Sequence, residues 1–199
     1  VLNEPLPLEL VRASRRRGHL TIRWRAVAAA FALTAVGLSG FYIGRQSVEP
    51  VLIAALPRDA ALAHVVFSPE QRHPVEVDAA HAEHLTAWLS KRLGAKLAAP
   101  DFAAQGFELL GGRLLAGGAG PVAQFMYQDA QQRRVTLYVR RNVDQHNAGQ
   151  RDTAFRHAVE GGVEVFYWID RDMGYALSGD IEHDAMRRLA DAAYRQIDR

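Results

Sequence analysis

Eight histidines and no cysteine set the limits on the chemistry open to this chain. Without thiols there is no disulfide framework, no Cys-ligated zinc or iron–sulfur centre, no thiol nucleophile and no c-type haem attachment. The histidines carry the metal argument. His81-Ala-Glu-His84 sets two imidazoles at i, i+3 on one helix face, with His64 and His73 upstream. Zinc or copper would need a third ligand brought in by the fold. His81 and His84, however, fall off the apolar stripe of Leu85, Trp88 and Leu89 or at its margin, so they read as solvated surface residues. His73-Pro74, beside a strand, reads as a turn or a satisfied polar contact rather than a ligand.

Other chemical signatures are weaker still. Glu182-His183-Asp184 has the residue types of an acid–base cluster, but three adjacent helical residues point in three directions and cannot converge on one atom. They read as the acidic start of a helix, favoured by its dipole. Gly174-Tyr-Ala-Leu-Ser178-Gly179 lacks the spacing of a nucleophile elbow. The glycines between Gly111 and Gly120 lack the GK[ST] ending of a phosphate loop and the spacing of a dinucleotide fingerprint. The three methionines are too scattered for a copper set. Trp88, Tyr167, Trp168 and Tyr175 could line an apolar pocket, with core packing the preferred reading. The residues therefore assign no catalytic, cofactor-binding or metal position, and they do not support an enzyme.

The elements that would position any site divide the 199 residues sharply. Before Ala26 the acids are Glu4 and Glu9 and the bases are Arg12, Arg15, Arg16, Arg17, Arg23 and Arg25. This arm carries a net charge of +4 in a chain whose total is +2. Residues 26–44 follow without a single charge. Nineteen helical residues span roughly 28 Å, close to the hydrocarbon core of a bilayer. Trp24 and the pair Phe41/Tyr42 stand at the two ends, where amphipathic rings prefer to lie. A cleavable signal peptide fits poorly, because the basic arm is long and no A-x-A site follows.

The positive-inside rule then puts residues 1–25 in the cytoplasm and residues 46–199 outside, in the periplasm of a bacterial inner membrane crossed once. The arginines read as topology determinants and lipid-headgroup contacts rather than as a nucleic-acid surface. Gly40-x-x-x-Gly44 continues a small-residue row with Ala28 and Ala32 and offers a homodimer face in the bilayer. Residues 45–58 read as a tether broken by Pro50 and Pro57.

Residues 59–199 read as one periplasmic α+β domain. Asp59 caps a short helix through Val66. A short strand over 74–77 precedes a helix over 79–93 that Gly94 closes. Gly111-Gly112 signals a two-residue hairpin between strands 107–110 and 113–115. A second hairpin joins 122–128 to 134–140, where Val135, Leu137 and Val139 alternate with Thr136, Tyr138 and Arg140. That alternation predicts one buried face and one facing polar surroundings. Residues 141–153 are a polar loop, 163–169 a central strand and 175–178 a further strand. A last helix over 182–197 carries Met186, Leu189, Ala190, Ala193, Tyr194 and Ile197 in one stripe. The expected fold is a largely antiparallel sheet with two or three helices on one face.

Several phrases carry a resemblance. Asn3-Glu4-Pro5-Leu6-Pro7 lies before the basic arm, and Trp88-Leu-Ser-Lys-Arg-Leu-Gly94 in the exported part. Beside them stand His73–Val77, Gly106–Leu115, Gln124–Asp129, Thr136–Arg140, Phe166–Trp168 and Gly174–Gly179. In their order along the sequence and over nearly the whole chain, these phrases resemble membrane-spanning bacterial anti-sigma factors of the transmembrane transcriptional regulator family. The resemblance implies that an extracytoplasmic-function sigma factor is held inactive by a small helical cytoplasmic domain, and that a signal outside, as in a stress response, relieves the inhibition. Nothing before Arg25 matches the His-x3-Cys-x2-Cys zinc motif that some relatives carry. With Val1 as its first residue, the chain is expected to hold the anchor and sensor without the sigma-binding domain. Two other readings compete: an anchored periplasmic binding or assembly protein with no transcriptional role, and a periplasmic hydrolase or metalloenzyme using His64, His73, His81 or His84.

Overall fold

Along the described part of the chain, apolar residues recur at every third or fourth position in three helices and at alternate positions in the strands between them. The computed structural model describes residues 55–118, 120–141 and 155–197, all within one compact unit, Glu49–Arg199. The basic arm, the uncharged run 26–44, most of the tether and most of the polar loop 141–153 lie outside the described residues. No helix among the described residues is long and apolar enough to cross a membrane.

The first helix, α1, covers residues 55–67. It leads to β1 (Val77–Asp78), α2 (Ala82–Leu93), β2 (Phe107–Gly117), β3 (Gly120–Asp129), β4 (Arg134–Arg141), β5 (Arg156–Glu160), β6 (Val163–Asp170), β7 (Met173–Gly179) and α3 (His183–Ile197). Single 3-10 turns precede α2 and β2. The strands form one seven-stranded sheet in the order β1-β2-β3-β4-β7-β6-β5, with every pairing antiparallel. The α+β expectation holds.

Both faces of this sheet are covered: α2 and α3 share one face, as expected for helices 79–93 and 182–197, while the third helix, α1, takes the other. Val135, Leu137 and Val139 of β4 join Leu85 and Leu89 of α2 and Met186 and Leu189 of α3 in one apolar cluster. Tyr138 of the same strand joins Leu56, Ala60 and Ala63 of α1, with Val122, Val165 and Ala176, in a second. Successive strand side chains point to opposite faces, so α1 lies on the face opposite α2 and α3. The polar surroundings expected for Thr136, Tyr138 and Arg140 turn out to be α1 itself: all three are buried beneath it.

Four further details differ from the sequence reading. Residues 55–58 are helical, and Leu56 and Pro57 are buried, so this end of the predicted tether belongs to α1. The fixed φ of proline, near −65°, suits helical backbone. The strand expected over 74–77 shrinks to Val77–Asp78. Gly111-Gly112 is not a hairpin turn. It lies within one long strand, at a bulge where the register with β3 shifts between Leu109 and Gly111. Gly111 has φ +145°, and a Cβ there would sit 2.1 Å from the Val77 carbonyl oxygen, so glycine is needed for β1 to approach. Strand β5, which the sequence reading omitted, forms one sheet edge and pairs with β6 across Gly161-Gly162. Gly94, at φ +67°, caps α2 as expected.

The stretch from α1 to β1 is strapped across its own face of the sheet. Arg113 Nη2 donates to the carbonyls of His73 (3.3 Å) and Pro74, and its guanidinium lies 4.0 Å over the Phe67 ring. Arg134 Nη1 donates to the Ser68 carbonyl at 2.6 Å and to that of Glu70.

Candidate functional site

The histidines singled out in the sequence do not converge. His64 lies on α1 and is buried against the sheet, where its Nδ1 is hydrogen-bonded to Thr136 Oγ1 at 3.0 Å. His73 is exposed. His81 and His84 are exposed as expected, and His81 Nδ1 donates to Asp78 Oδ1 at 2.8 Å. The four aromatic residues do not line one pocket either. Trp168 stacks on Tyr175 at 5.2 Å and 12° in the α2/α3 core, with Trp88 packed against that core. Tyr167 packs on the α1 side. Core packing is the correct reading of them.

The sheet instead assembles a cluster that sequence reasoning missed. Among the described residues, His157, Glu164 and His183 form one group of potential metal donors, with one donor atom of each within 4.8 Å of the other two. The hairpin turn at Gly161-Gly162 sets Val159 opposite Glu164 and His157 opposite Phe166. His157, Glu164 and Phe166 therefore share the face that α3 covers. His183, the first residue of α3, comes down on the same spot. His157 Nε2 donates to Glu164 Oε2 at 2.5 Å, and His183 Nδ1 donates to the same oxygen at 3.2 Å. The two imidazoles meet edge to face at 4.5 Å and 88°, and each lies 5.0 Å from the Phe166 ring. Their side chains are 35%, 24% and 50% exposed for His157, Glu164 and His183. Burial pushes the Glu164 carboxyl up, but the hydrogen bonds from His157 and His183 outweigh it and hold it below the ordinary range.

Two signals could have found this cluster. Gly161-Gly162 between two apolar runs is a hairpin signal in its own right, and a two-residue turn there puts His157 and Glu164 on one face. The second is His183 itself: Glu182, His183 and Asp184 point in three directions, yet a histidine at the first position of a helix can meet residues of the strands beneath it.

A second polar cluster lies under α1. Besides His64–Thr136, Arg140 Nη1 donates to Asp59 Oδ2 at 3.3 Å, with the Arg140 side chain 5% exposed. Burial pulls the His64 imidazole down to about 4, against the raising effect of the Asp180 carboxylate, so it is neutral near pH 7. Gln124 and Ser178 are buried on the same face, and the Gln124 amide and Ser178 Oγ have no hydrogen-bond partner among the described residues. A groove of about 400 Å³ runs between α1 and the β2–β3 turn, lined by Leu62, Val66, Phe67, Leu115 and Tyr138 among others. No family model matches the sequence, and no curated protein sequence matches it.

Proposed function

We propose that this chain is the membrane anchor and exported sensor domain of an anti-sigma factor, a negative regulator of an extracytoplasmic-function sigma factor rather than an enzyme. The observation that carries the reading is the distribution of the family-like phrases. Gly106–Leu115, Gln124–Asp129, Thr136–Arg140, Phe166–Trp168 and Gly174–Gly179 fall on β2, β3, β4, β6 and β7. Trp88–Gly94 falls on α2 and its cap. The likeness thus runs through the framework of a whole domain rather than through one short motif. The uncharged run 26–44 with its arginine-dense N-terminal flank supports single-pass topology with the domain in the periplasm.

A single span transmits information only if the outer domain changes position, association or susceptibility to proteolysis. The first described element after the span is α1. It is held to the sheet by Leu56, Ala60 and Ala63 and by the Asp59 and His64 contacts. Seating or release of α1 is therefore the natural point of coupling. Regulated cleavage would fall before residue 55, since 55–58 are helical and packed. The Gly40/Gly44 face adds a route through dimerisation in the bilayer.

Topology and capture test the proposal. An alkaline phosphatase fused after Arg199 should be active and a cytosol-only fluorescent reporter at the same place dark. An extracytoplasmic-function sigma factor should co-purify with the intact gene product. A reporter lit only in the cytosol, or capture of no sigma factor, overturns the reading.

A further inference from the structure

We propose that His157, Glu164 and His183 form a binding site for a borderline divalent metal ion of the zinc, cobalt or nickel type. Three observations carry it. The donors come from three separate elements, β5, β6 and the start of α3, and converge on one point of the sheet edge. Their donor atoms already lie within 4.8 Å of one another, with two of the separations at 2.5 and 3.2 Å. A tetrahedral ion with ligand bonds of about 2.1 Å sets its donors roughly 3.4 Å apart, so small side-chain swings suffice to seat one. Both imidazoles aim their nitrogens at a single carboxylate oxygen, and an ion entering there takes the place of the N–H protons they share with it.

The donor set selects the class of ion. Imidazole with one carboxylate suits zinc, cobalt, nickel and ferrous iron, whereas magnesium and calcium prefer all-oxygen sites. Three protein ligands leave a coordination position open to water. With side chains 24% to 50% exposed, the site is accessible to an ion from solution. Phe166 packs against both imidazoles and limits their rotation. One force opposes the ion: the positive end of the α3 dipole lies at His183. Glu164, with the exposed Glu182 and Asp184 on either side of His183, supplies compensating negative charge. Use of the ion as the input of a sensor rests on the anti-sigma reading, while the site itself does not.

The experiment is a calorimetric titration of zinc chloride into the whole chain in detergent, with cobalt(II) absorption as a spectroscopic check. The expected result is one zinc per chain. His157→Ala, His183→Ala and Glu164→Gln should each weaken binding at least tenfold, on the order of one lost ligand contact. The double variant His81→Ala/His84→Ala should bind as the parent does. Cobalt should give the intense visible bands of a low-coordinate site, a readout on the parent protein that holds even where an alanine variant fails to fold. Substoichiometric zinc, binding that survives all three site variants, or binding lost with His81 and His84 overturns the assignment. Failure of zinc to bind while a sigma factor is still captured sinks the metal site alone. Zinc bound at this site without sigma capture sinks the anti-sigma reading alone.

Discussion

On strand β4, Leu137 and Thr136 are neighbours, both fully buried, yet they face different worlds. Leu137 looks toward α2 and α3, into a layer of Phe125, Phe166, Trp168 and Leu177. Thr136 looks toward α1, into a layer that includes His64, Gln124, Arg140 and Ser178. One sheet thus carries a dry face and a polar face. The dry face stabilises through area removed from water and dispersion contacts, which depend little on exact alignment. The polar face adds to its own apolar cluster two paired contacts, His64–Thr136 and Asp59–Arg140, and parting either pair without rehydration costs the desolvation of the group left behind. A helix seated on such a surface tends to be either fully docked or released. That suits the first described element to follow the proposed membrane span in the sequence.

The largest expected effect belongs to the dry face. Trp168 is 1% exposed and packs with Phe155, Tyr175 and Tyr194. Trp168→Ala should cost about 4 kcal/mol, read as a lower urea midpoint for the whole domain. A loss below about 1 kcal/mol would mean that the α2/α3 layer is not where the stability resides.

Next comes acid sensitivity, which separates the faces by pH. The His64 imidazole titrates at about 4 in the folded domain, against 6.5 unperturbed. Between those values the unfolded chain binds more protons, so stability falls as pH drops from 6.5 toward 4 and levels off below. The shift corresponds to about 3 kcal/mol in total. Glu164 acts in a lower window. Its carboxyl is held below its usual 4.5, so its contribution is complete above that pH and is lost as acid takes it through the folded value. Urea unfolding at half-unit steps from pH 7 to 4 should show the upper slope in the parent and a flattened one in His64→Gln. An unchanged slope in the variant would remove His64 as the acid-sensitive group of the α1 face.

The dry face was the legible one. Leu85, Leu89 and Leu93 in α2, and Met186 and Leu189 in α3, announce themselves by 3.6-residue spacing, and Gly94 marks where α2 stops. The polar face was half legible. The alternation in β4 was plain, but polar residues at alternate positions look the same whether they meet water or a helix. The short apolar spacing of Leu56, Ala60 and Ala63 gave no sign of which side of the sheet they would take. Gly111-Gly112 misled because a bulge glycine and a turn glycine satisfy the same backbone need, and only the approach of Val77 distinguishes them. The metal-type cluster was hidden for a different reason. Its members are far apart in sequence except across the Gly161-Gly162 turn, and His183 joins them only through the docking of α3.

The smallest expected effect is the sharpest probe of the contrast. Thr136→Val keeps the branched shape of the side chain and puts a methyl where the hydroxyl partners His64 Nδ1. Its cost should be about 1–2 kcal/mol, the penalty for leaving one buried ring nitrogen unmatched. Because that nitrogen belongs to α1, the loss should appear first as local opening. Amide hydrogen exchange in residues 56–67 should accelerate about tenfold, with α2 and α3 nearly unchanged. Uniform acceleration across all three helices would show that α1 opens only with the whole domain. The two faces would then be one cooperative unit, and coupling through release of α1 would lose its physical basis.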